Sequence, residues 1–404
     1  MNINYNKNYS DLCLIGYKYN TDKSPLRYNI NTRLYAHPYT LYYNSIFKNI
    51  KNNNLNILEF GILDGGSLLM WKEYFCNSKI IGLDNNINYI NKMKNQNFDV
   101  SYIDIKDDNN ISSNLTNLNM TFDIIIEDTT NEIDDQIRVI KNTVKYLKPG
   151  GVIIIEDIFL NANEKDYYDK LGDTINEFQN NYFITLNHDN KYSGEWNNDK
   201  LFVLIKKGDE PIIKNKNKLT IITPSYRIDN LTKLYQSINF DYVDEWIIVY
   251  DGSKLTDNPN LFNHEKIKEY IHKDENSSFG NAQRNYALDN IKNENTYLYY
   301  LDDDNIINQE LYKLLDIIDN DKIYTFNQIR YPCLDILKGN IINPGYIDTA
   351  MILISYNLCK NIKWNISDYG ADYYYINECY NKYSEKWIYI DNILCYYNIL
   401  KKMI

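Results

Sequence analysis

Paired cysteine spacing is missing from this chain. Its six cysteines (Cys13, Cys76, Cys333, Cys359, Cys379 and Cys395) are scattered without a CxxC pair, which argues against a structural zinc site or a disulfide framework and fits a reducing compartment. No run of about 18 apolar residues occurs, and the N-terminus, MNINYNKNYSD, carries no apolar core of signal-peptide length. A soluble, unsecreted protein with no transmembrane segment is therefore expected, cytoplasmic or in a host cytoplasm if viral. Clusters of Lys and Arg are also missing and the net charge is −11, so nucleic acid is not an expected partner. Without coiled-coil heptads or internal repeats, the oligomeric state goes unsignalled. What abounds is Asn, Ile, Lys, Asp and Tyr, with 40 tyrosines. That skew reflects an AT-rich genome, as in giant viruses and some low-GC bacteria, so a single exposed Tyr or Asn carries little information.

A chain of 404 residues is long enough for two domains, each with its own core. From Leu55 to Lys206, β-branched runs alternate with polar helical stretches, the rhythm of a parallel sheet covered by helices on both faces. The runs are NILEFGI, KIIGLD, VSYIDI, FDIIIED, GVIIIED, YFITLNH and KLFVLIKK. The last two are too close for a crossover helix and predict an antiparallel hairpin at the sheet edge. Residues 208–218 are charged, contain Pro and lack apolar periodicity, which makes them the expected linker. The expected organisation is a Rossmann-like α/β domain over 1–207, with a helical cap at 1–50, and a second α/β domain over 219–404.

In the first half, strand NILEFG runs into ILDGGS. Glycines at a strand-to-helix turn let a ligand approach the backbone, and acidic residues ending the following strands, Asp84 and Asp104, are placed to accept ribose hydroxyls. Glu59, Gly61, Ser67, Asp84 and Asp104 are thus the candidate nucleoside-cofactor residues. The segments YKYNTDKS, AHPYTLYYNSIF, ILEFGILDGGSLLMWKEYF, FDIIIEDTTNEIDDQI and LKPGGVIIIEDIF resemble the metal-dependent sugar O-methyltransferases of the macrocin and mycinamicin type. The resemblance implies S-adenosylmethionine as cofactor and a Mg²⁺ or Mn²⁺ ion on Asp128, Glu156 and Asp157, which would bind vicinal sugar hydroxyls and acidify one. The family's loop histidine falls on Asn131, and an amide cannot be a general base. His37, in AHPYT, is the candidate to take the proton instead.

In the second half, the apolar strand of TYLYYLDDDN ends in three aspartates, hard oxygen ligands suited to a divalent cation held against a nucleotide diphosphate. LTIITPSYR leaves room at its end for a flat base on which Tyr226 could stack, beside Pro224. WIIVYDGS ends in Asp251, placed to accept from a uracil ring nitrogen. Arg284, in GNAQRNYAL, offers a guanidinium to a diphosphate. These four motifs resemble the β-1,3-glucuronyltransferase family, which implies a GT-A fold and a UDP-linked sugar donor. By that resemblance Asp251 meets uracil, Arg284 the nucleotide, Asp303 the ribose side, and Asp304 a second Mn²⁺ or Mg²⁺ ion, with Asp302 also among the nucleotide-sugar residues. Past Asn320 the chain is more similar to family-two glycosyltransferases, whose glycine-acid-acid motif partly matches Gly370-Ala371-Asp372. Asp372 is then the expected base that deprotonates the acceptor hydroxyl, with Asp368 its competitor; Tyr373–Tyr375, Trp364 and the CYYN segment ending at Asn398 are read as core.

Together the halves predict a bifunctional enzyme that transfers a sugar from a nucleotide-sugar to a glycan acceptor with inversion and O-methylates a sugar hydroxyl. Two alternatives stand beside it: a glycosyltransferase on a non-methylating scaffold, which Asn131 favours, and a non-catalytic glycan-binding or structural virion protein.

Overall fold

The computed structural model of the chain describes residues 1–26, 35–213, 217–253, 255, 257–273, 279–319, 321–365 and 370–401. They form two compact units, Met1–Lys214 and Asn215–Ile404. Among the described residues no helix is long and apolar enough to cross a membrane.

The first unit opens with strand β1 (Asn2–Asn4) and helices α1 (Asp11–Lys18) and α2 (Tyr39–Phe47). Strand and helix then alternate through β2 (Asn56–Phe60), α3 (Gly66–Tyr74), β3 (Lys79–Asp84), α4 (Ile87–Lys94), β4 (Asp99–Tyr102), α5 (Asp108–Leu118) and β5 (Phe122–Glu127). They continue through α6 (Ile133–Thr143), β6 (Leu147–Ile158), α7 (Glu164–Leu171), β7 (Phe178–Asn187) and β8 (Lys200–Lys206). Pairing gives the order β4-β3-β2-β5-β6-β8-β7-β1, with β8 antiparallel to both neighbours and every other pair parallel. Ile153, Ile154 and Ile155 are all fully buried, as a strand covered on both faces requires. The Phe183 and Phe202 rings stack at 4.1 Å across the expected hairpin. Strand β1 was not signalled, because only Ile3 of its three residues is buried and its pairing to β7 is made by backbone. The order reverses between β2 and β5, so a ligand crevice opens at their carboxyl ends. This is the Rossmann-like sheet of a methyltransferase.

The second unit contains β9 (Leu219–Ser225), α8 (Leu231–Ser237), β10 (Val243–Asp251), β11 (Ile267–His272), α9 (Asn281–Asp289), β12 (Tyr297–Tyr300), β13 (Ile306–Ile307) and α10 (Glu310–Leu315). It ends with β14 (Ile323–Arg330), β15 (Asp335–Leu337), β16 (Ile352–Ser355), α11 (Tyr356–Cys359), α12 (Ala371–Tyr383) and β17 (Trp387–Tyr397). The order is β11-β10-β9-β12-β16-β14-β17-β13, with β15 paired to the far end of β14. Strands β11, β10, β9 and β12 are parallel, and β16 runs against them. The reversal between β9 and β12 again sets a crevice at the strands' carboxyl ends, where β12 delivers the three aspartates. The arrangement is that of a GT-A domain.

Candidate active sites

In the first unit, β2 leads into Gly61, which has a φ of 81°; a Cβ there would lie 1.8 Å from the Asp128 carbonyl oxygen. Glycine alone lets the loops after β2 and β5 approach so closely. Between these loops opens a cavity of about 580 Å³ lined by Gly61, Ser67, Asp128 and Asp157 of the expected residues, and by Asn131. Glu59 lies beneath, fully buried, accepting from the Ser67 hydroxyl at 2.9 Å. Asp84 and Asp104 do not line the cavity. Asp84 instead accepts from the amides of Ile62, Leu63 and Asn86 at 2.9, 3.2 and 2.7 Å, which pins the loop after β2. Asp104 accepts from the Lys106 amide at 2.9 Å.

The acidic residues expected to hold a metal are brought together around an ammonium. Lys23, only 1% exposed, pairs with Asp128, with Glu156 at 2.7 Å and with Glu59 at 3.5 Å. One cation facing two buried carboxylates and the half-buried Asp128 leaves them undercompensated. Burial, partly offset by Lys23, pushes Glu156 up to about 7 and holds Asp128 well above the usual carboxylate range. Asp157 belongs to a neighbouring cluster, where it accepts from the Tyr39 hydroxyl at 2.7 Å. Its φ of 57° is the kind of backbone strain that gathers at functional sites. Among the described residues no group of three Asp, Glu, His or Cys side chains is arranged to hold a metal ion, so the arrangement, with an ammonium at its centre, does not fit a metal as it stands.

His37, the expected base, does not line the cavity. It is buried, with Nδ1 3.0 Å from Asp199 Oδ1 and Nε2 3.7 Å from Asp157 Oδ1. Burial disfavours its charge, but Asp157 and the hydrogen bond to Asp199 outweigh that and raise it to about 9. Set between Asp199 and Asp157, the ring is placed as a counter-ion for two aspartates. Sequence reasoning missed Lys23, since a lysine between Asp22 and Ser24 reads as surface. The available signal was the set of strand-end carboxylates at Glu59, Asp128 and Glu156, which needed a buried cation.

In the second unit, all the expected donor residues meet. Pro224, Tyr226, Asp251, Arg284, Asp302, Asp303 and Asp304 line one cavity of about 540 Å³. They come from the ends of β9, β10 and β12 and from α9. Gly280 starts α9 with a φ of 88°, and a Cβ on it would meet Pro224 at 2.9 Å. Its absence lets the helix carry Arg284 up to the acidic loop. Arg284 donates to Asp302 at 2.5 Å and to Asn281 Oδ1 at 2.9 Å, and lies 5.0 Å over the Trp364 ring. Asp303 is occupied by its own chain: it accepts from the Tyr226 and Arg227 amides at 2.6 Å each and from the Arg227 guanidinium, which ties β9 to the acidic loop. Asp304 stands 3.2 Å from Arg227, and burial with the repulsion of Asp302 pushes it up to about 6.

Here too, guanidinium groups rather than further carboxylates surround the aspartates, and no three-ligand cation site is formed among the described residues. The CYYN segment is not simply core: Tyr397, Asn398 and Lys401 line the cavity. The tail is held there because the Asn398 amide donates to Asn305 Oδ1 at 2.9 Å and the Leu400 amide to the Asp304 carbonyl at 3.0 Å. Trp364 is core and stacks on Tyr375 at 4.1 Å. Asp372, in the first turn of α12, lines an adjoining cavity that shares Arg284 and Asp302 with the first. Burial, eased by Arg284 and worsened by Asp302, raises Asp372 to about 6. Asp368 lies outside the described residues.

Residues 220–362 match the family model described as Glycosyl transferase family 2. The match takes in every expected donor residue and stops short of Asp372. The N-terminal part is similar to two methyltransferases. Demethylmacrocin O-methyltransferase of Streptomyces fradiae is 30% identical over 134 residues, 30% of this chain and 32% of that protein. Mycinamicin VI 2''-O-methyltransferase of Micromonospora griseorubida is 28% identical over 142 residues, 31% of this chain and 32% of that protein. The chain thus spans about a third of the length of these curated relatives. Among solved structures, the MycE methyltransferase of the mycinamycin biosynthetic pathway, in complex with Mg, SAH and mycinamycin VI, is 20% identical. That match covers 50% of this chain and 56% of the other, with a TM-score of 0.36. The chain therefore joins an O-methyltransferase-like part to a family-two glycosyltransferase domain.

Proposed function

We propose that the chain is a bifunctional glycan-modifying enzyme. Its second unit transfers a sugar from a UDP-linked donor to a glycan acceptor with inversion, and its first methylates a sugar hydroxyl from S-adenosylmethionine. The convergence of seven separately encoded donor residues on one cavity carries the transferase reading. Asp251 accepts from the uracil ring, Tyr226 and Pro224 pack on its face, and Arg284 and Arg227 balance the diphosphate charge. Asp372 is ionised above pH of about 6 and takes the proton of the attacking acceptor hydroxyl. A Mn²⁺ or Mg²⁺ ion at Asp304 would have to draw that carboxylate from Arg227.

In the first unit, S-adenosylmethionine would lie along Gly61–Ser67. With Asn131 amidic and His37 held between two aspartates, Asp157 is the group placed to take the hydroxyl's proton, since the Tyr39 hydroxyl and the His37 ring both face its Oδ1. A metal there would have to displace the Lys23 ammonium from Asp128 and Glu156. A second reading, glycosyltransferase with a non-methylating scaffold, is favoured by the combination of Asn131 with a His37 held between two aspartates. A screen of UDP-sugars with Mn²⁺ for donor hydrolysis tests the first activity; no hydrolysis of any donor removes it. Calorimetry with S-adenosylmethionine tests the second: binding without methyl release selects the scaffold reading, and no binding at millimolar cofactor removes both methyl-donor readings.

A further inference from the structure

The cavity beside the donor site, about 470 Å³ in volume, is lined on its far side by Gln328 and Arg330 of β14, Asp348 before β16, and Asp372 of α12. Gln328 is completely buried, yet among the described residues neither its amide oxygen nor its amide nitrogen has a hydrogen-bond partner. Buried amides left in this state are rare and call for a reason. The neighbouring Asn327 shows that the strand can satisfy such groups: its side chain bonds Asp391 at 2.8 Å, the Tyr389 hydroxyl at 2.8 Å and the Gly339 amide at 3.1 Å. Asp348 is also partly unspent, because the Ala350 amide and the Thr349 hydroxyl both donate to Oδ1, at 3.1 and 3.3 Å.

The charge around the cavity is lopsided. Arg284 is paired with Asp302 and Arg330 with Asp335, while Asp348 and Asp372 make no salt bridge among the described residues and lie in the field of the same Arg284. A ligand bearing a carboxylate or phosphate would meet three aspartates, Asp302, Asp348 and Asp372, around one shared guanidinium and be disfavoured. A ligand rich in neutral hydroxyls could donate to the aspartates and satisfy both ends of the Gln328 amide at once.

We propose that this cavity is the acceptor subsite and takes a neutral sugar, with Gln328 bridging two adjacent ring hydroxyls: Nε2 donates to one and Oε1 accepts from the other. The proposal rests on the sugar-transfer reading and adds to it the chemical class of the acceptor and the residue that selects it. A site built to bond hydroxyls rejects ligands that leave its polar groups unpaired, which is how one amide can set specificity.

The test is saturation-transfer NMR and titration of the full chain with methyl glucoside, methyl galactoside and methyl glucuronide, which needs no turnover. The neutral glycosides are expected to bind at least tenfold more tightly than the glucuronide. Gln328→Leu is expected to weaken them about tenfold, and Gln328→Glu, which keeps acceptor oxygens and loses the donor, to weaken them as well. UDP affinity measured on the same samples reports whether the donor cavity of each variant is intact. Equal binding of the glucuronide, no binding of any neutral glycoside, or neutral binding indifferent to both substitutions would overturn the proposal. Failure of donor hydrolysis with glycoside binding intact would overturn the transferase reading alone.

Discussion

Replacing Lys23 with methionine removes one positive charge and little volume, so it isolates what a buried ammonium does for the first unit. Lys23 is 1% exposed and faces Asp128, Glu156 and Glu59. Deleting one partner of a buried ionic cluster costs roughly 3–5 kcal/mol, because the remaining charges stay buried without compensation. The loss depends on pH. Burial already holds Glu156 at about 7, above its ordinary 4.5, so the folded state binds that proton more tightly than the unfolded one. Stability from this group is complete below the unfolded value and is lost as pH rises through 7. That difference corresponds to roughly 3 kcal/mol. Without Lys23 the carboxylates move higher still, so the window widens upward. Urea unfolding of the full chain at pH 5.5 and 8.5 should therefore show a large loss for Lys23→Met at the higher pH and a much smaller one at the lower. Lys18→Met, which removes an exposed pair with Glu73, serves as the control with little change at either pH. A Lys23→Met loss that is small, or equal at both pH values, would refute the clustered-carboxylate account.

Other outcomes follow from the same geometry. Asp372→Asn should abolish sugar transfer while UDP still binds by calorimetry; near-normal transfer would eliminate Asp372 as the base. The His37 ring, raised to about 9, should stay in its imidazolium form between pH 6 and 8 by NMR, and the stability it contributes, complete below pH of about 6.5, should be lost as pH rises through 9. Gly61→Ala must force a left-handed residue against the Asp128 carbonyl; thermal unfolding should show a loss of more than the roughly 1–3 kcal/mol that the backbone strain alone costs.

Much of this molecule could be read from its sequence, for reasons that differ by residue. Parallel strands buried on both faces spell continuous apolar runs, so β2, β3, β5 and β6 stand out, as FDIIIED and GVIIIED do. Strand β1 does not, since a three-residue edge strand held by backbone pairing leaves no side-chain pattern. Strand ends and their following loops placed the donor residues, because a crevice at a topological reversal draws on those positions. What stayed hidden depends on contacts distant in sequence. Lys23 meets Glu156 across 133 residues, and Asn398 meets Asn305 across 93. Likewise, the raised His37 depends on Asp199, a residue with no motif of its own, and Asp84 reads as a ribose ligand until its backbone partners are seen.

The central claim is that two independent ligand cavities, one for a nucleoside diphosphate and one for S-adenosylmethionine, are carried by one chain. Its most direct measurement is paired calorimetric titration of UDP and S-adenosylmethionine into the full chain and into Asp251→Asn and Gly61→Ala. The account predicts that the unaltered chain saturates with both, that Asp251→Asn weakens UDP alone, and that Gly61→Ala weakens S-adenosylmethionine alone. Neither ligand saturating the unaltered chain, or each substitution abolishing the other cavity's ligand, would contradict it.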